Sequence, residues 1–165
     1  MIIREIQPED NQQIASVIRQ VFIDDNYPKV GTAFSDSQLD YMFENYNKTK
    51  AIYFVIEENG KILGGGGIAK LDNSDENICE LQKMYFLHEA RGKGIGLQII
   101  EKCLQKAKEF GFEKCYIVEF NEYKDANDCL MNNGYGVLKE FISKARVPKI
   151  EGILEAEDYL SDIID

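Results

Sequence analysis

A glycine-rich segment near the middle of the chain has the residue types and spacing needed to hold a phosphate group. It reads Arg91-Gly92-Lys93-Gly94-Ile95-Gly96, follows a strand-like segment and leads into a helical pattern. The first N–H groups of a helix lack intrahelical partners and the helix dipole is positive there, while glycines let a ligand approach the backbone closely. The segment therefore predicts an anion site suited to a pyrophosphate, with positive charge added by Arg91 and Lys93.

Two common phosphate-binding motifs do not fit this segment. The dinucleotide pattern G-x-G-x-x-G needs a third glycine where the chain has Leu97, and the pattern G-x-x-x-x-G-K-S/T has no match. A nucleotide-binding domain of either type is therefore disfavoured. The pattern that does fit residues 91–96 is Gln or Arg, two residues, Gly, one residue, then Gly or Ala.

The cysteines and the single histidine do not form a metal-site pattern. A zinc site needs clustered ligands at short spacing, and no two cysteines form a C-x-x-C pair. We therefore expect no metal, and we expect the cysteines to be small buried residues of a protein from a reducing cytosol. The residues concerned are Cys79, Cys103, Cys115, Cys129 and His88.

Hydrophobic spacing predicts the elements that must position the turn. Strands are predicted at 2–6, 51–57, from 61 onward, 78–87 and 114–120, with a hairpin turn at Asn59-Gly60. Helices are predicted from Pro8 to Asn26, from Ser35 or Ser37 to about Tyr46, and from the glycine-rich turn to Gly111. Four consecutive glycines, 64–67, weaken the third strand and indicate a bulge or a close approach to the backbone.

The element order predicts one domain with an α/β (α+β) fold and a mixed sheet. The order is β-α-α-β-β-β-α-β-α-β, in which three strands form an antiparallel meander and residues 78–120 form a right-handed βαβ unit. A short helix near Ala126 and a strand at 137–142 complete the domain, which we place at 1–145. An acidic tail at 146–165 has helical spacing and is expected to dock as a helix.

With this order the chain resembles the GNAT superfamily of N-acetyltransferases. The resemblance rests on the pattern at 91–96, on the element order, and on the segments 80–86 before the turn and 124–135 after it. It covers the chain up to about Tyr135. It implies acetyl-CoA-dependent transfer of an acetyl group to a primary amine of a small molecule or a protein.

The resemblance also implies which residues meet acetyl-CoA. The pyrophosphate would be held at the turn, the pantetheine arm would pair with the end of the preceding strand, and the following strand would splay away to open the slot. The corresponding residues are Arg91, Gly92, Lys93, Gly94, Ile95 and Gly96, then Met84, Tyr85 and Phe86, and finally Asn121. The acceptor wall would draw on Tyr27, Phe34, Tyr41 and Tyr53, or these would be plain core aromatics.

Glu80 matches the carboxylate that often serves as the catalytic base in this family. An ordinary glutamate, with a pKa of about 4.3, is a poor base at neutral pH, so burial would have to raise its pKa. The alternatives are a strand-surface carboxylate or an ion pair with Lys83. Glu119 is a second candidate for the base.

The chain departs from the family at the position of the usual proton-donating tyrosine, which is Leu130. Either CoA leaves as a thiolate or with the help of water, or another tyrosine substitutes, with Tyr116, Tyr123 and Tyr135 as candidates. The alternative function is a catalytically weak or inactive acyl-CoA-binding module on the same fold.

Composition limits the partners. The chain has 165 residues, 19 Lys and Arg, 29 Asp and Glu, and a net charge of −10, which argues against a nucleic acid or an anionic membrane as partner. No apolar run approaches the ~20 residues of a membrane span, and no signal-peptide pattern follows Met1. We expect a cytoplasmic protein, leave a homodimer open, and note that an acidic surface would attract a cationic amine.

Overall fold

The computed structural model describes residues 1–27, 29 and 32–117. The strands are β1 Ile2–Glu5, β2 Ile52–Glu58, β3 Lys61–Lys70, β4 Ile78–Phe86 and β5 Lys114–Ile117, and the helices are α1 Asn11–Asp24, α2 Met42–Tyr46 and α3 Ile95–Glu109. Short 3-10 turns cover Pro8–Asp10, Ala33–Ser35, Ser37–Tyr41 and His88–Ala90. The expected helix near Ala126, the strand at 137–142 and the tail helix lie outside the described residues.

The five strands form one sheet in the order β1-β2-β3-β4-β5. Neighbours from β1 to β4 are antiparallel, whereas β4 and β5 are parallel and are connected through α3. The predicted meander, βαβ unit and mixed sheet are therefore confirmed.

Each face of the sheet is covered by helices with an apolar stripe. The stripe of α3 includes the completely buried Ile99 and Cys103, and on the opposite face α1 and α2 contribute Ile14, Ile18 and Met42, which are also completely buried. The spacing of these residues brings them to one side of each helix.

The three described thiols lie beneath the α3 face of the sheet. Cys79 on β4 and Cys115 on β5 are register partners, and Cys103 on α3 donates to the carbonyl oxygen of Gly66 at 3.8 Å. All three are free and buried. The expectation that these cysteines are small buried residues is confirmed, while Cys129 lies outside the described residues.

Two glycines of the run in β3, Gly65 and Gly67, leave room for the ring of Tyr53. A Cβ atom on Gly65 would lie 2.5 Å from the Tyr53 ring, and one on Gly67 would lie 2.4 Å from the carbonyl oxygen of Ile52 and 2.6 Å from that ring. Real Cβ atoms do not approach so closely, so only glycine at these two positions leaves space for the ring against the paired strands. The predicted close approach to this backbone is confirmed.

A β-bulge lies on β4, opposite the glycines. Tyr85 pairs with Gly65 and Gln82 pairs with Gly67, so β4 has two residues between these pairs where β3 has one. Lys83 in the bulge has a φ of 51°, a left-handed conformation that is rare for residues other than Gly, Asn and Asp. Its carbonyl oxygen accepts a hydrogen bond of 2.8 Å from the Tyr53 hydroxyl, which holds the bulge in place.

The predicted second helix is wrong as a continuous element. Two 3-10 turns and the five-residue α2 replace it, and their caps are Thr32 and Asp36 rather than Ser35 or Ser37. The start of α2 is held by a distant residue, because the N–H of Phe43 donates to Asn11 Oδ1 of α1 at 2.7 Å. A cap supplied by another element cannot be read from local spacing.

Candidate functional site

The glycine-rich turn joins the end of β4 to the start of α3. Gly92 and Gly94 have φ angles of 70° and 71°, and this left-handed conformation costs other residues about 1–2 kcal/mol. A Cβ atom at either position would meet nothing within 4 Å. The two glycines therefore serve the backbone conformation and leave open space over the turn.

The N-terminus of α3 opens into this space. Gly94 is the residue before the helix, and the N–H of Gln98 donates to its carbonyl oxygen at 3.3 Å. The amides of residues 95–97 come before this bond and so have no intrahelical acceptor. These amides lie at the positive end of the helix dipole and beside the exposed Lys93, so they can donate hydrogen bonds to an anion.

Arg91 directs its side chain away from this opening and towards α1. Its Nη1 and Nη2 atoms contact Asp25 Oδ1 and Oδ2 at 3.1 and 2.5 Å, and its Nε donates to the carbonyl oxygen of Phe86 at 2.8 Å. His88 Nε2 lies 3.2 Å from Asp25 Oδ1. The charge of Arg91 is therefore largely offset by Asp25, and the exposed positive charge at the turn is that of Lys93.

At the end of β4 the side chains of Met84, Tyr85 and Phe86 are used in packing. Tyr85 packs on Phe22 with ring centroids 5.2 Å apart, Met84 packs towards α3, and the Phe86 ring lies 3.5 Å from where a Cβ of Gly96 would be. Within the described residues, pairing with β5 ends at Leu81 and Ile117. Asn121 and the expected splaying of 115–120 beyond Ile117 lie outside the described residues.

Glu80 lies on β4, partly buried on the face covered by α2. Its Oε2 atom accepts a hydrogen bond of 2.5 Å from Gln82 Nε2. Burial raises the pKa of Glu80 above its usual value, and the negative charge of Asp72 adds to this rise. The hydrogen bond from Gln82 and the positive charge of Lys83 act in the opposite direction. The condition set from the sequence, that burial raise the pKa of this carboxyl, is met.

Lys83 does not form the ion pair with Glu80 that the sequence offered as an alternative to a catalytic role for Glu80. Its Nζ atom contacts Asp36 Oδ2 at 2.8 Å, and both side chains are mostly buried. Asp36 Oδ1 also caps the following 3-10 turn by accepting from the N–H of Gln38. Lys83 therefore fastens the segment before α2 to the bulge of β4.

Two residues near Glu80 were missed by the sequence reasoning. Gln82 Oε1 accepts a hydrogen bond of 2.9 Å from the hydroxyl of the buried Tyr46 on α2. The one sequence signal was the alternation of β4, which brings Glu80 and Gln82 to the same face. Tyr46 was predicted only as the approximate end of the second helix.

The aromatic residues expected at an acceptor wall fall into three environments. Tyr53 is completely buried in the core, and Tyr41 is 61% exposed. Tyr27 and Phe34 both pack on Phe22, with ring centroids 5.5 and 6.2 Å away. The last two border the segment between α1 and α2, whereas Tyr53 is a core aromatic.

Among the residues that the structure describes, no cluster of three or more His, Cys, Asp or Glu side chains could hold a metal ion. No helix in residues 1–27, 29 and 32–117 is both long and apolar enough to cross a membrane.

Taken together, these features define a class: an α/β protein in which a strand, a glycine-rich turn and a helix follow one another, with the helix N-terminus open at the turn and a partly buried carboxylate on the strand. Comparison with known proteins narrows that class. A family model described as Acetyltransferase (GNAT) family matches residues 16–135, and the chain belongs to this family.

Individual relatives agree with the family assignment. The chain is 40% identical over 117 residues, 70% of each protein, to an Escherichia coli K12 protein named uncharacterized N-acetyltransferase YjgM. A GNAT-family acetyltransferase from Staphylococcus aureus Mu50 has the same fold, with a TM-score of 0.69, 20% identity and coverage of 93% of this chain and 94% of that one. An acetyltransferase from Clostridium acetobutylicum, solved with acetyl-CoA, has a TM-score of 0.63, 17% identity and coverage of 90% and 95%.

Proposed function

We propose that the protein is an acetyl-CoA-dependent N-acetyltransferase that acts on a primary amine of a small molecule or a protein. The observation that carries the proposal is the continuity of β4, the turn and α3. One strand bears the carboxylate Glu80, its end leaves backbone groups for a ligand, and the turn that follows opens a helix N-terminus. Family membership and the Clostridium acetobutylicum relative with acetyl-CoA support the same ligand.

The residues of the turn fit a pyrophosphate. The amides from Gly92 to Gly96 would donate to its oxygens, and Lys93 would add a positive charge at the exposed side. The open space over Gly92 and Gly94 gives room for the phosphates. Arg91 would act on this site indirectly, by holding the turn to α1 through Asp25.

The strand edge beyond Leu81 fits the pantetheine arm. Among Met84, Tyr85 and Phe86, the alternate residues whose N–H and carbonyl groups face away from β3 would offer them to the arm, as they would to a neighbouring strand. Their side chains are already packed on the two faces of the sheet. The arm would therefore be recognised through the backbone, and Asn121 would complete the far side.

Glu80 would act as the general base, directly or through one water molecule. It would take a proton from the acceptor ammonium, and the freed amine nitrogen would form a bond with the acetyl carbon while the carbon–sulfur bond breaks. The nitrogen would lose its second proton to water as the amide forms, and CoA would leave as a thiolate and take its proton from water or from an acid. Leu130 cannot supply that proton. Of the candidates Tyr116, Tyr123 and Tyr135, Tyr116 lies within the described residues, where it is buried.

The experiment measures binding and turnover separately. Calorimetry with CoA tests the turn, and release of free CoA from acetyl-CoA with pooled amines and peptides tests catalysis. Glu80→Gln should lower kcat/KM about 10²–10⁴-fold with little change in CoA affinity, whereas Glu101→Gln, the same change on an exposed part of α3, should have no effect.

A second function is favoured by Leu130 alone. A protein that binds CoA but releases none with any amine would be an acyl-CoA-binding module, and a gain of activity in Leu130→Tyr would identify the missing acid. Failure to bind CoA would contradict both functions. A homodimer and a cytoplasmic location remain predictions, which light scattering and cell fractionation would check.

A further inference from the structure

A chain of three polar side chains runs from α2 to the carboxylate on β4. The Tyr46 hydroxyl donates to Gln82 Oε1 at 2.9 Å, and Gln82 Nε2 donates to Glu80 Oε2 at 2.5 Å. Tyr46 is 5% exposed, so water competes little for its hydroxyl. The two bonds join Glu80 to a residue of a different element.

The chemistry of the three groups fixes the direction of these bonds. An ionised carboxylate only accepts, so the nitrogen of the Gln82 amide must face Glu80 and its oxygen must face Tyr46. Tyr46 must then donate, and burial raises the pKa of its hydroxyl, which keeps that proton in place. The arrangement as a whole matches the ionised form of Glu80.

The two bonds also distinguish the two oxygens of Glu80. Oε2 is held by Gln82, and no described residue donates a hydrogen bond to Oε1. We propose that Gln82 and Tyr46 are positioning residues that hold Oε2 of Glu80 and leave Oε1 to take the proton of the acceptor amine or of an intervening water. This inference rests on the proposed function, because it assigns a role relative to Glu80 as base.

The position of Gln82 follows from the strand and its bulge. Gln82 is two residues after Glu80 on a regular part of β4, so both side chains share a face. The bulge at Lys83 begins immediately afterwards. The bulge changes which face the side chains point to only for the residues after Lys83. Glu80 and Gln82 therefore stay on one face, while the end of the strand changes direction.

Other ionisable groups face Glu80 from the surrounding elements. Asp72, after β3, adds to the rise in its pKa, while Lys83 on β4 opposes it, although the Lys83 ammonium is shared with Asp36. Tyr116 on β5 is the register partner of Glu80, and burial together with the Glu80 charge raises the pKa of its hydroxyl. Among the described residues, none of these three groups is hydrogen-bonded to the carboxylate, whereas Gln82 and Tyr46 form a hydrogen-bonded chain to it.

The test compares pH profiles of kcat/KM for the full-length protein. Gln82→Met removes the donor to the carboxylate, so the acid limb should move up by about one pH unit and kcat should fall about tenfold. Tyr46→Phe removes the hydrogen bond that holds the Gln82 amide in place, and should move the acid limb of the pH profile in the same direction by a smaller amount. The KM for acetyl-CoA should not change in either variant.

The chain offers a matched control. Gln105 Nε2 donates to Glu109 Oε1 at 3.3 Å on the exposed side of α3, so Gln105→Met removes the same kind of bond far from the site. Its pH profile should match that of the unmodified protein. Thermal unfolding of each variant shows whether the fold is kept.

A second measurement separates this inference from the proposed function. The side-chain carbon of Glu80, followed by NMR as pH changes, should titrate at a higher pH in Gln82→Met whether or not the protein is active. If both variants keep the pH limb and the Glu80 titration unchanged while Glu80→Gln is inactive, the positioning role is overturned and the base is kept. If Glu80→Gln is fully active, the base itself is wrong.

Discussion

The guanidinium of Arg91 contacts both carboxylate oxygens of Asp25, so the first residue of the glycine-rich turn is fastened to the end of α1. Burial is the largest single influence and would raise the pKa of Asp25, but the hydrogen bonds and charge of Arg91, together with His88 and Tyr27, lower that pKa below its usual value. The pair is mostly buried, with side chains 12% and 28% exposed. It is therefore better shielded from solvent than an ordinary surface ion pair.

Asp25→Asn should lower the free energy of unfolding by about 1–2 kcal/mol at neutral pH, because it removes one charge of a bidentate pair. The pKa of Asp25 is lowered in the folded protein, so its contribution is present above about pH 3.9 and is lost as pH falls through the folded value. Urea unfolding at several pH values checks this. Asp75→Asn, on an exposed loop, should show no such loss; equal losses in both variants would contradict a special role for the pair.

Gly94→Ala should weaken CoA binding at least tenfold, because the added methyl group enters the open space over the turn. It should also lower the free energy of unfolding by about 1 kcal/mol, since alanine is strained at this φ. Gly60→Ala is the matched control: Gly60 has a φ of 80° and equally empty surroundings, but it lies in the β2–β3 hairpin. It should lose similar stability and bind CoA normally when both are measured by calorimetry.

Gly67→Ala should destabilise the protein by about 3 kcal/mol, near the upper end for overpacking. The new methyl group would collide with a backbone oxygen and with the Tyr53 ring, neither of which can move without disturbing the sheet. Gly66→Ala should cost less, since the nearest atoms there belong to the side chains of Met84 and Ile99. Urea unfolding of the two variants gives the comparison, and equal costs would contradict this reasoning.

Glu80→Gln should make the folded protein more stable at neutral pH while removing activity. The pKa of Glu80 is raised on folding, so its favourable contribution is complete below the ordinary value of about 4.3 and is lost as pH rises through the folded value. The stability gained by the amide should therefore shrink as the solution is acidified to about pH 4. A gain that stayed constant with pH would show that the carboxylate is not the cause.

Local sequence signals accounted for much of this fold. The apolar spacing of α1 and α3, the Asn59-Gly60 turn and the glycines at 92 and 94 each specify their structure through contacts within a few residues. The glycine run 64–67 indicated a close approach without saying what approaches. For Gly65 and Gly67, the group that approaches is the ring of Tyr53, which comes from the neighbouring strand.

What the sequence could not supply depends on contacts between distant residues. A lysine gives no local sign of a left-handed conformation, yet Lys83 adopts one because β4 carries an extra residue against β3 and Tyr53 holds its carbonyl. The start of α2 is capped by Asn11, 32 residues away. The partner of Arg91 is 66 residues away, so its charge was expected at the phosphates rather than at Asp25.

The buried thiols bear on how the reaction can be followed. The pKa of the Cys103 thiol is raised by burial, and that of Cys115 by its hydrogen bond with Cys79 and by burial. A thiol without access to solvent and without thiolate character reacts slowly with disulfide reagents. Because Cys79, Cys103 and Cys115 are all buried, they should add little background when a disulfide dye reports free CoA, provided the protein stays folded during the assay.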